Sequence, residues 1–508
     1  MNKWVVTVTV MLGTLASALL GSIVNVAIPY IQGAMGASIE QITWVSTGYL
    51  LSNTIIMPII ALLSARFGRK NFYMFGMAVF LLGSALCGIS WNLYSLVTFR
   101  ILQGLGGGIL IPVAQAILRE VFPKEEQGMA MSIYGLGVVL GPAIGPTLGG
   151  WLIEHHNWRW IFYVNLPIGI LDLVLISLFI RDPDFLVRER SKIDYLGLLF
   201  MVVGLGAFQV FLAEGENKNW FASPYITRLA IISALGTILF VMRELTTQNP
   251  AVNLRILKNI NFTMGTLLGG TLGMGLYGGL FVLPLFLQDL LGYTPLDAGL
   301  AMLPRAIAMA MVMPIGGRLF NKIGPKPIVG FGLILVVISF FQFSKLNINA
   351  GYWDIFMPQF LQGTGFGFIF VCISTSTLLT IEKKNLTFAT GIYNVFRLIS
   401  GSIGVAIAAT FVDRGTNNYY SLLAKNVSLF NRNALEYIAK VEQVLGLPHS
   451  VQPDMVTKKV LNKLVLEQAQ MLSYNHVYML IMFVFLASIP LVFFLKGLKD
   501  VKIDESGT

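Results

Sequence analysis

Charged residues are scarce in this chain: they make up 12% of its 508 residues, about half the share of a soluble domain. Cys87 and Cys372, its two cysteines, lie far apart inside apolar stretches, so a disulfide framework or a thiolate metal site is disfavoured. The adjacent pair His155 and His156 is typical of a protein surface, so we predict no bound metal. No P-loop, HExxH or nucleophile-elbow pattern occurs in a suitable place, so we predict no enzyme activity, no catalytic residue and no cofactor.

Apolar residues, by contrast, account for 55% of the chain and are gathered into runs. A helix needs about 20 predominantly apolar residues to cross a bilayer, and fourteen runs are of spanning length. No small-residue cleavage site follows the first run, so we predict a retained span and not a signal peptide. The predicted fold class is therefore an all-α polytopic membrane protein. The runs cover about residues 5–28, 43–63, 72–90, 96–118, 129–152, 160–180, 194–213, 225–243, 262–287, 297–319, 327–345, 356–380, 389–412 and 475–496.

The cations are concentrated in alternate connections between these runs. By the positive-inside rule those connections face the cytoplasm, and because the number of spans is even, both termini lie there too. The net charge of +10 then reflects membrane orientation, and we predict no nucleic-acid partner. The basic residues assigned to the cytoplasmic side are Arg66, Arg69, Lys70, Arg119, Lys124, Arg181, Arg188, Arg190, Lys192, Arg243, Arg255, Lys258, Arg318, Lys322, Lys326, Lys383, Lys384, Lys496, Lys499 and Lys502.

The chain also repeats itself. FRILQGLGGGI (99–109) matches PQFLQGTGFGF (358–368) at an offset of 259 residues, and ALLSARFGRK (61–70) matches GRLFNKIGPK (317–326) at 256. Two parallel six-helix halves are the organisation of a transporter whose halves rock against each other. We therefore predict a six-helix bundle at residues 1–190, two inserted helices at 191–250 and a second six-helix bundle at 251–508.

One outer connection is unusually long. Residues 413–474 are too charged to span the membrane and too many for a turn, and they include the helical-looking stretch ALEYIAKVEQVLG (434–446). We predict a small extracytoplasmic subdomain there. It is either a tolerated insertion or a docking surface, and the residues leave both open.

Six motifs carry a family resemblance. The motifs are SIVNVAIPYI (22–31), ARFGRK (65–70), RILQGLGGGILIP (100–112), GPAIGPTLGG (141–150), WRWIFYVNLPIG (158–169) and FRLISGSIGVA (396–406). Together with fourteen helices they resemble the EmrB/QacA-type drug:proton antiporters of the major facilitator superfamily, and the long last loop looks EmrB-like.

The resemblance implies a proton-coupled exporter of hydrophobic or amphipathic compounds that works by alternating access in the bacterial inner membrane. It also implies a possible periplasmic adaptor and outer-membrane channel as partners. Proton-coupled uptake or metabolite transport in the same fold is the alternative, which the fifth-helix motif argues against. A membrane enzyme, or an adaptor without transport, would not need two matched halves.

The loop motif consists of Arg66, Gly68, Arg69 and Lys70. Its cations can simply fix topology, while the resemblance implies a latch between the halves. The acidic residue of the family loop is missing, because Ala65 stands at its position.

Three arginines fall within apolar runs. An arginine near mid-membrane costs about 3 kcal/mol on insertion scales, so Arg100 either faces a cavity or partner or snorkels to the outer surface. The resemblance implies that Arg100 controls protonation of a nearby carboxylate. Arg397 sits more centrally and needs an anionic or amide partner, whereas we expect Arg305 to be interfacial.

Proton coupling needs a buried group that changes its charge. The resembled family commonly has an aspartate in helix one, but Leu20 stands at that position. Of the remaining acids we predict Asp172 in helix six as the coupling group, with Glu154 next, and Asp289 is a further membrane acid. A structural ion pair is the alternative role for Asp172.

Polar side chains on otherwise apolar helices complete the candidate sites. The resemblance places most of them on cavity-lining helices, where with three tyrosines they form a weakly polar substrate pocket. Interhelical hydrogen bonds, each worth about 0.6–2 kcal/mol, are the alternative. The predicted cavity residues are Asn25, Gln103, Gln115, Tyr134, Tyr277, Gln362, Tyr393 and Asn394.

Helix five carries glycines four residues apart, on one helical face, with two prolines on the neighbouring stripe. We expect a smooth, kinked contact surface between the two halves, which holds no titratable group. These antiporter-motif residues are Gly137, Gly141, Pro142, Gly145, Pro146 and Gly149.

Overall fold

The computed structural model describes residues 3–182, 194–247, 250, 252–382, 385–425, 427, 436, 439–440, 442–443, 455–498 and 500. Within these ranges the regular structure is entirely helical, as predicted. The main helices are α1 (Lys3–Met35), α2 (Trp44–Ile56 and Ile60–Phe67), α3 (Arg69–Gly88), α4 (Leu93–Val121), α5 (Gln127–His155), α6 (Asn165–Phe179), α7 (Tyr195–Glu214), α8 (Pro224–Thr246), α9 (Ile260–Leu285), α10 (Pro295–Ile323), α11 (Pro325–Phe343), α12 (Tyr352–Leu379), α13 (Leu386–Ala424) and α14 (Met455–Ser488).

The second span is interrupted. In the described part of the chain, 13 helices are long and apolar enough to cross a membrane unbroken, and α2 is the remaining predicted span. Its two parts are joined by the 3₁₀ turn Met57–Ile59, because Pro58 has no N–H to continue the α-helical pattern. An ideal Cβ on Gly391 would lie 2.9 Å from the Met57 carbonyl oxygen, so α13 approaches the chain closely at this break.

The helix pairs repeat. In the N-terminal bundle, α1 to α6, helix α1 packs on α5 and α3 packs on α4; in the C-terminal bundle, α9 to α14, helix α9 packs on α13 and α11 packs on α12. The backbone approaches repeat too, because Gly104 lies against the Tyr49 carbonyl and its counterpart Gly363 lies against the Arg305 carbonyl. The duplication seen in the sequence is therefore also a duplication of packing.

The inserted helices lie beside the seam between the bundles. Helix α7 packs on both α2 and α13, and Gln209 donates a 2.9 Å hydrogen bond to Ser402. Helix α8 packs on α7, and Arg243 joins it to Asp194, which also caps α7 through the Gly197 amide. Burial opposes ionisation of the Asp194 carboxyl, but the hydrogen bonds from Arg243 and Gly197 outweigh it and lower its pKa.

The first and the last described residues of the chain lie at the same end of the molecule. Lys3 pairs with Glu126 beside the connection from α4 to α5. The Lys496 amide donates a 2.7 Å hydrogen bond to Asn261 near the start of α9. Residues 65–70 lie at this end as well, which we call the loop-motif end.

The antiporter motif of α5 contacts both bundles, so our expectation of a contact surface between the halves was right for Pro146 and wrong for the glycines. A Cβ on Gly141 would lie 2.5 Å from the Leu19 amide nitrogen. The other three glycines also pack against α1, in the same bundle. Toward the C-terminal bundle, a Cβ on Gly299 of α10 would lie 3.9 Å from Pro146, and Gly128 meets Gly317. The spacing predicts close packing but does not identify the partner helix.

Helices extend into the long connection of residues 413–474 from both sides. Helix α13 continues to Ala424 and α14 begins at Met455, well beyond the predicted spans. The two extensions contact each other, since the Tyr420 hydroxyl donates a 2.5 Å hydrogen bond to Asn462. Most of the stretch 434–446 lies outside the described residues, so the subdomain stays a prediction.

Candidate transport site

The loop motif finds its acidic partners outside the loop. Gly68 has a φ of 85°, which glycine adopts without strain and which allows the tight turn from α2 into α3. Arg69 is buried and pairs with Glu120 at the end of α4. The Lys70 amide donates a 2.8 Å hydrogen bond to Asp182. The carboxylate missing at the position of Ala65 is thus replaced by acids from two other segments, while Arg66 is exposed.

Arg119 joins the bundles at the loop-motif end. From the last turn of α4 its guanidinium donates to the carbonyls of Ser374, at 2.6 Å, and Thr375 on α12. The same side chain donates to Gln127 at 2.6 Å, which fixes its direction. On α5, Ser132 donates a 2.8 Å hydrogen bond to the Met313 carbonyl of α10. Sequence reasoning assigned Arg119 only to charge orientation.

Two predicted cavity residues meet across the seam. The Asn394 amide on α13 donates a 2.8 Å hydrogen bond to Gln115 on α4, and both side chains are fully buried. In this conformation the two side chains form an interhelical hydrogen bond, which was the alternative to a role in lining the substrate pocket.

Arg397 lies among aromatic rings. Its guanidinium is 5.6 Å from the Phe370 ring centroid and 5.9 Å from that of Tyr393, distances at which a cation is attracted to the ring face. Tyr134 on α5 and Tyr277 on α9 are further electrostatic neighbours of Arg397, and the Tyr134 hydroxyl donates a 3.3 Å hydrogen bond to the Ile111 carbonyl. We call these five residues the arginine–aromatic cluster. They bring three predicted cavity tyrosines together, and these neighbours of Arg397 are aromatic residues and not the expected anion or amide.

Arg100 is buried within the N-terminal bundle and does not snorkel, because it is only 1% exposed. It donates to the Val45 carbonyl at 2.9 Å and to Gln103 at 2.8 Å. Its guanidinium lies 4.3 Å from the Tyr49 ring centroid. None of these neighbours is a carboxylate.

A matching pair occupies the C-terminal bundle. Arg305 is buried, which corrects our expectation of an interfacial position, and it lies 3.5 Å from Gln362. Gln362 is the repeat counterpart of Gln103, but the arginine comes from α10 and not from α12. The two bundles therefore place a buried arginine beside equivalent glutamines from different helices.

The two candidate coupling acids have opposite surroundings. Asp172 is fully buried, and neither of its carboxyl oxygens has a hydrogen-bond partner among the described residues. It faces Gly13 and Tyr73 inside the N-terminal bundle, away from Arg100 and Arg397. Glu154 is exposed at the end of α5. The structural ion pair that was the alternative for Asp172 is not present among the described residues.

Asn25 lies apart from the predicted cavity residues at the seam. It is exposed on α1 and accepts a 3.3 Å hydrogen bond from Ser46.

Tyr49, Tyr73 and Phe370 are site neighbours that sequence reasoning missed. A single aromatic residue in an apolar run looks like core packing, so only the fold could have identified them.

Comparison with known proteins shows which family the chain belongs to. The family model described as Major Facilitator Superfamily matches residues 10–405. The chain belongs to the major facilitator superfamily. The crystal structure of the human organic anion transporter MFSD10 has a similar fold, with a TM-score of 0.59 and 13% identity over 96% of this chain and 100% of that one.

Two curated relatives span almost the whole chain. The multidrug export protein EmrB of Escherichia coli (strain K12) is 31% identical over 97% of this chain and 95% of its own length. The fatty acid resistance protein FarB of Neisseria gonorrhoeae is 32% identical over 97% and 96%. The predicted family and fold class are confirmed, and this superfamily member is a multi-pass protein of the bacterial inner membrane.

Proposed function

We propose that this protein exports hydrophobic and amphipathic compounds in exchange for protons, by alternating access between its two bundles. One observation carries the proposal: polar side chains join the two bundles across the seam, namely Arg119 at the loop-motif end and the fully buried Gln115–Asn394 pair. A transporter of this kind needs a seam that is held by few, breakable polar contacts, because the bundles separate there in the other half of the cycle. The names of the relatives, multidrug export and fatty acid resistance, agree with export of such compounds.

The arginine–aromatic cluster is our candidate for substrate contact. Its rings offer apolar faces that adapt to different compounds, and the electrostatic neighbours of Arg397 are tyrosines. Because Arg397 has no paired carboxylate among the described residues, it favours compounds whose polar group is acidic or accepts hydrogen bonds. We propose that Asn25, Gln103, Gln115, Gln362 and Asn394 line or stabilise the same pathway.

Asp172 is our candidate coupling group. Among the described residues neither oxygen of this buried carboxyl group has a hydrogen-bond partner, and an unpartnered buried carboxyl group is costly unless its charge changes with the transport cycle. We further propose that the loop-motif end is cytoplasmic, that the bundles correspond to residues 1–190 and 251–508, and that the α13 and α14 extensions face an adaptor protein.

A reconstituted system tests the function. Purified full-length protein in liposomes with an imposed pH gradient is given a fluorescent fatty acid and a cationic dye. We expect transport of the fatty acid against the proton flow, its collapse with a protonophore, and loss of coupled transport in Asp172→Asn but not in Glu154→Gln. Solute movement in the same direction as protons would support uptake instead, and loss only in Glu154→Gln would move the coupling role to Glu154.

A further inference from the structure

Asn261 binds the stretch of chain that follows the last membrane span. After α14 and the 3₁₀ turn Ile489–Phe494, residues 495–497 continue without helical structure. The Lys496 amide donates a 2.7 Å hydrogen bond to Asn261 Oδ1 on α9, and the Lys496 carbonyl accepts a 2.7 Å hydrogen bond from the Ser376 hydroxyl on α12. Both side chains are buried, so two helices of the C-terminal bundle bind the backbone of this residue.

Packing fixes the same stretch on its other sides. The Leu495 side chain is fully buried, and that of Leu498 is 8% exposed. An ideal Cβ on Gly497 would lie 2.9 Å from Pro325 Cδ, so the chain touches the start of α11 closely. The Gly497 amide donates a 2.8 Å hydrogen bond to Asp500. Residues 495–497 are therefore a packed part of the C-terminal bundle.

Asn261 also caps the end of α12. That helix ends at Leu379, and the last four carbonyl groups of a helix have no partner within it. Asn261 Nδ2 donates a 2.7 Å hydrogen bond to one of them, the Ser376 carbonyl, and a 3.2 Å hydrogen bond to the Thr380 hydroxyl. A side-chain amide has two donor hydrogens and an acceptor oxygen, so one asparagine binds the helix end and residues 495–497 together.

The acceptors of Arg119 lie directly before this cap. Its guanidinium donates to the carbonyls of Ser374 and Thr375, the two residues that precede Ser376. The aligned peptide dipoles of a helix leave a partial negative charge at its C-terminus, which stabilises a cation within the last turn. The attraction between Arg119 and α12 therefore depends on a last turn that stays helical.

We propose that Asn261, Ser376 and residues 495–497 form a C-terminal clamp, which keeps the last turn of α12 helical and so positions the carbonyl groups that Arg119 binds when the loop-motif end is closed. The proposal rests on the proposed function, since it treats this closure as one state of an alternating-access cycle. Asn261 and Ser376 are thus positioning residues that act through Arg119. Without the clamp the last turn loses its cap, and the closed state loses part of the attraction between the cation and the helix end.

Two variants open the clamp, and one of them has a close match elsewhere in the bundle. Asn261→Ala removes the amide that binds Lys496 and the end of α12. Ser376→Ala removes the hydroxyl that holds the Lys496 carbonyl, and because alanine is a good helix former, α12 should still fold. The matched control is Ser339→Ala. The fully buried Ser339 hydroxyl donates an equally short 2.7 Å hydrogen bond to the Pro358 carbonyl, near the opposite end of the same bundle.

Distances between spin labels at Phe67→Cys and Lys322→Cys measure the open and closed populations of the loop-motif end. Both positions are exposed, and the full-length protein is studied in liposomes without substrate or pH gradient. We expect the ratio of open to closed molecules to rise about threefold to tenfold in Asn261→Ala and Ser376→Ala, the range for buried hydrogen bonds between membrane helices. It should stay unchanged in Ser339→Ala, even if all three variants unfold at lower temperature.

Two further backgrounds show whether the clamp acts through Arg119. Arg119→Gln removes the guanidinium, whereas Ser132→Ala removes a different contact across the seam, the hydrogen bond to the Met313 carbonyl of α10, and leaves α12 unchanged. We expect the shift caused by Asn261→Ala to persist in Ser132→Ala and to disappear in Arg119→Gln. Shifts of equal size in the two backgrounds would overturn the proposal, because the clamp would then not act through Arg119.

The outcomes separate the clamp from the function. If the liposomes export the fatty acid against the proton flow but both clamp variants keep the label distances of Ser339→Ala, the clamp is wrong and the function stands. If the clamp variants shift the distances as expected but no export is driven by the pH gradient, the function fails and the clamp stands. Should Asn261→Ala misfold, Ser376→Ala in the same backgrounds decides the question.

Discussion

The side-chain amide of Asn394 donates a 2.8 Å hydrogen bond to the Gln115 side-chain oxygen, across the seam between the two bundles. Both side chains are fully buried. Gln115 is on α4 and Asn394 is on α13, and these two helices are not counterparts in the sequence repeat. Any rocking motion that opens the seam at this level breaks this bond. The pair therefore contributes to the energy difference between the closed and the open seam.

We expect Gln115→Ala and Asn394→Ala each to favour the state in which the loop-motif end is open, and their effects to be strongly non-additive. Buried hydrogen bonds between membrane helices are worth about 0.6–1.7 kcal/mol, so a coupling of about 1 kcal/mol is expected from a double-mutant cycle. Distances between spin labels at Phe67→Cys and Ile323→Cys, exposed at that end, give the populations. Thr364→Ala, which removes only a bond within its own helix, is the control. Additive single effects would mean that the bond carries no coupling.

We expect a substitution of Arg119 to change the populations of the open and closed seam more than Gln115→Ala or Asn394→Ala does. Its guanidinium donates to two carbonyls of α12, and hydrogen bonds of charged groups are worth about 1.5–3 kcal/mol. We expect Arg119→Gln to shift the same spin-label distance distribution about tenfold or more toward the open loop-motif end. Arg66→Gln removes a cation from the exposed side of the same region and should leave the distribution unchanged. An unchanged distribution in Arg119→Gln as well would mean that Arg119 does not hold the loop-motif end closed.

Sequence reasoning located the helices well because the apolar length of a span follows directly from bilayer thickness. It also found Arg100, Arg397 and Asp172, since a charged residue within an apolar run is conspicuous. It could not find the partners of these residues. Tyr49 and Tyr73 look like ordinary core aromatics until the fold brings them beside Arg100 and Asp172.

Position along a helix was equally ambiguous. Arg305 lies in the half of α10 away from the loop-motif end, where an arginine often reaches the interface, but α12 packs against α10 and the side chain is buried. Helix ends in the long outer connection were missed because polar helices beyond the membrane have no apolar signal. Only tertiary contacts decide such cases.

The glycine stripe of α5 shows the same ambiguity and gives a direct stability test. A Cβ on Gly141 would lie 2.5 Å from the Leu19 amide nitrogen and 2.7 Å from the Ala18 carbonyl carbon, which are backbone atoms that cannot move aside. We expect Gly141→Ala to separate α1 from α5 and to lower stability by about 1–3 kcal/mol, as overpacking does in other cores. Thermal unfolding in detergent measures the change.

Gly150→Ala is the matched control, because it lies on the same helix with no atom within 4 Å of the added methyl group. It should keep or slightly raise the unfolding temperature, since alanine is the better helix former by about 1 kcal/mol. Since α1 packs on α6, which carries Asp172, and α5 carries Tyr134, Gly141→Ala should also weaken coupled transport, while the loop-motif end still closes through Arg119. Equal unfolding temperatures for the two variants would place the close contact of α1 and α5 elsewhere on these helices.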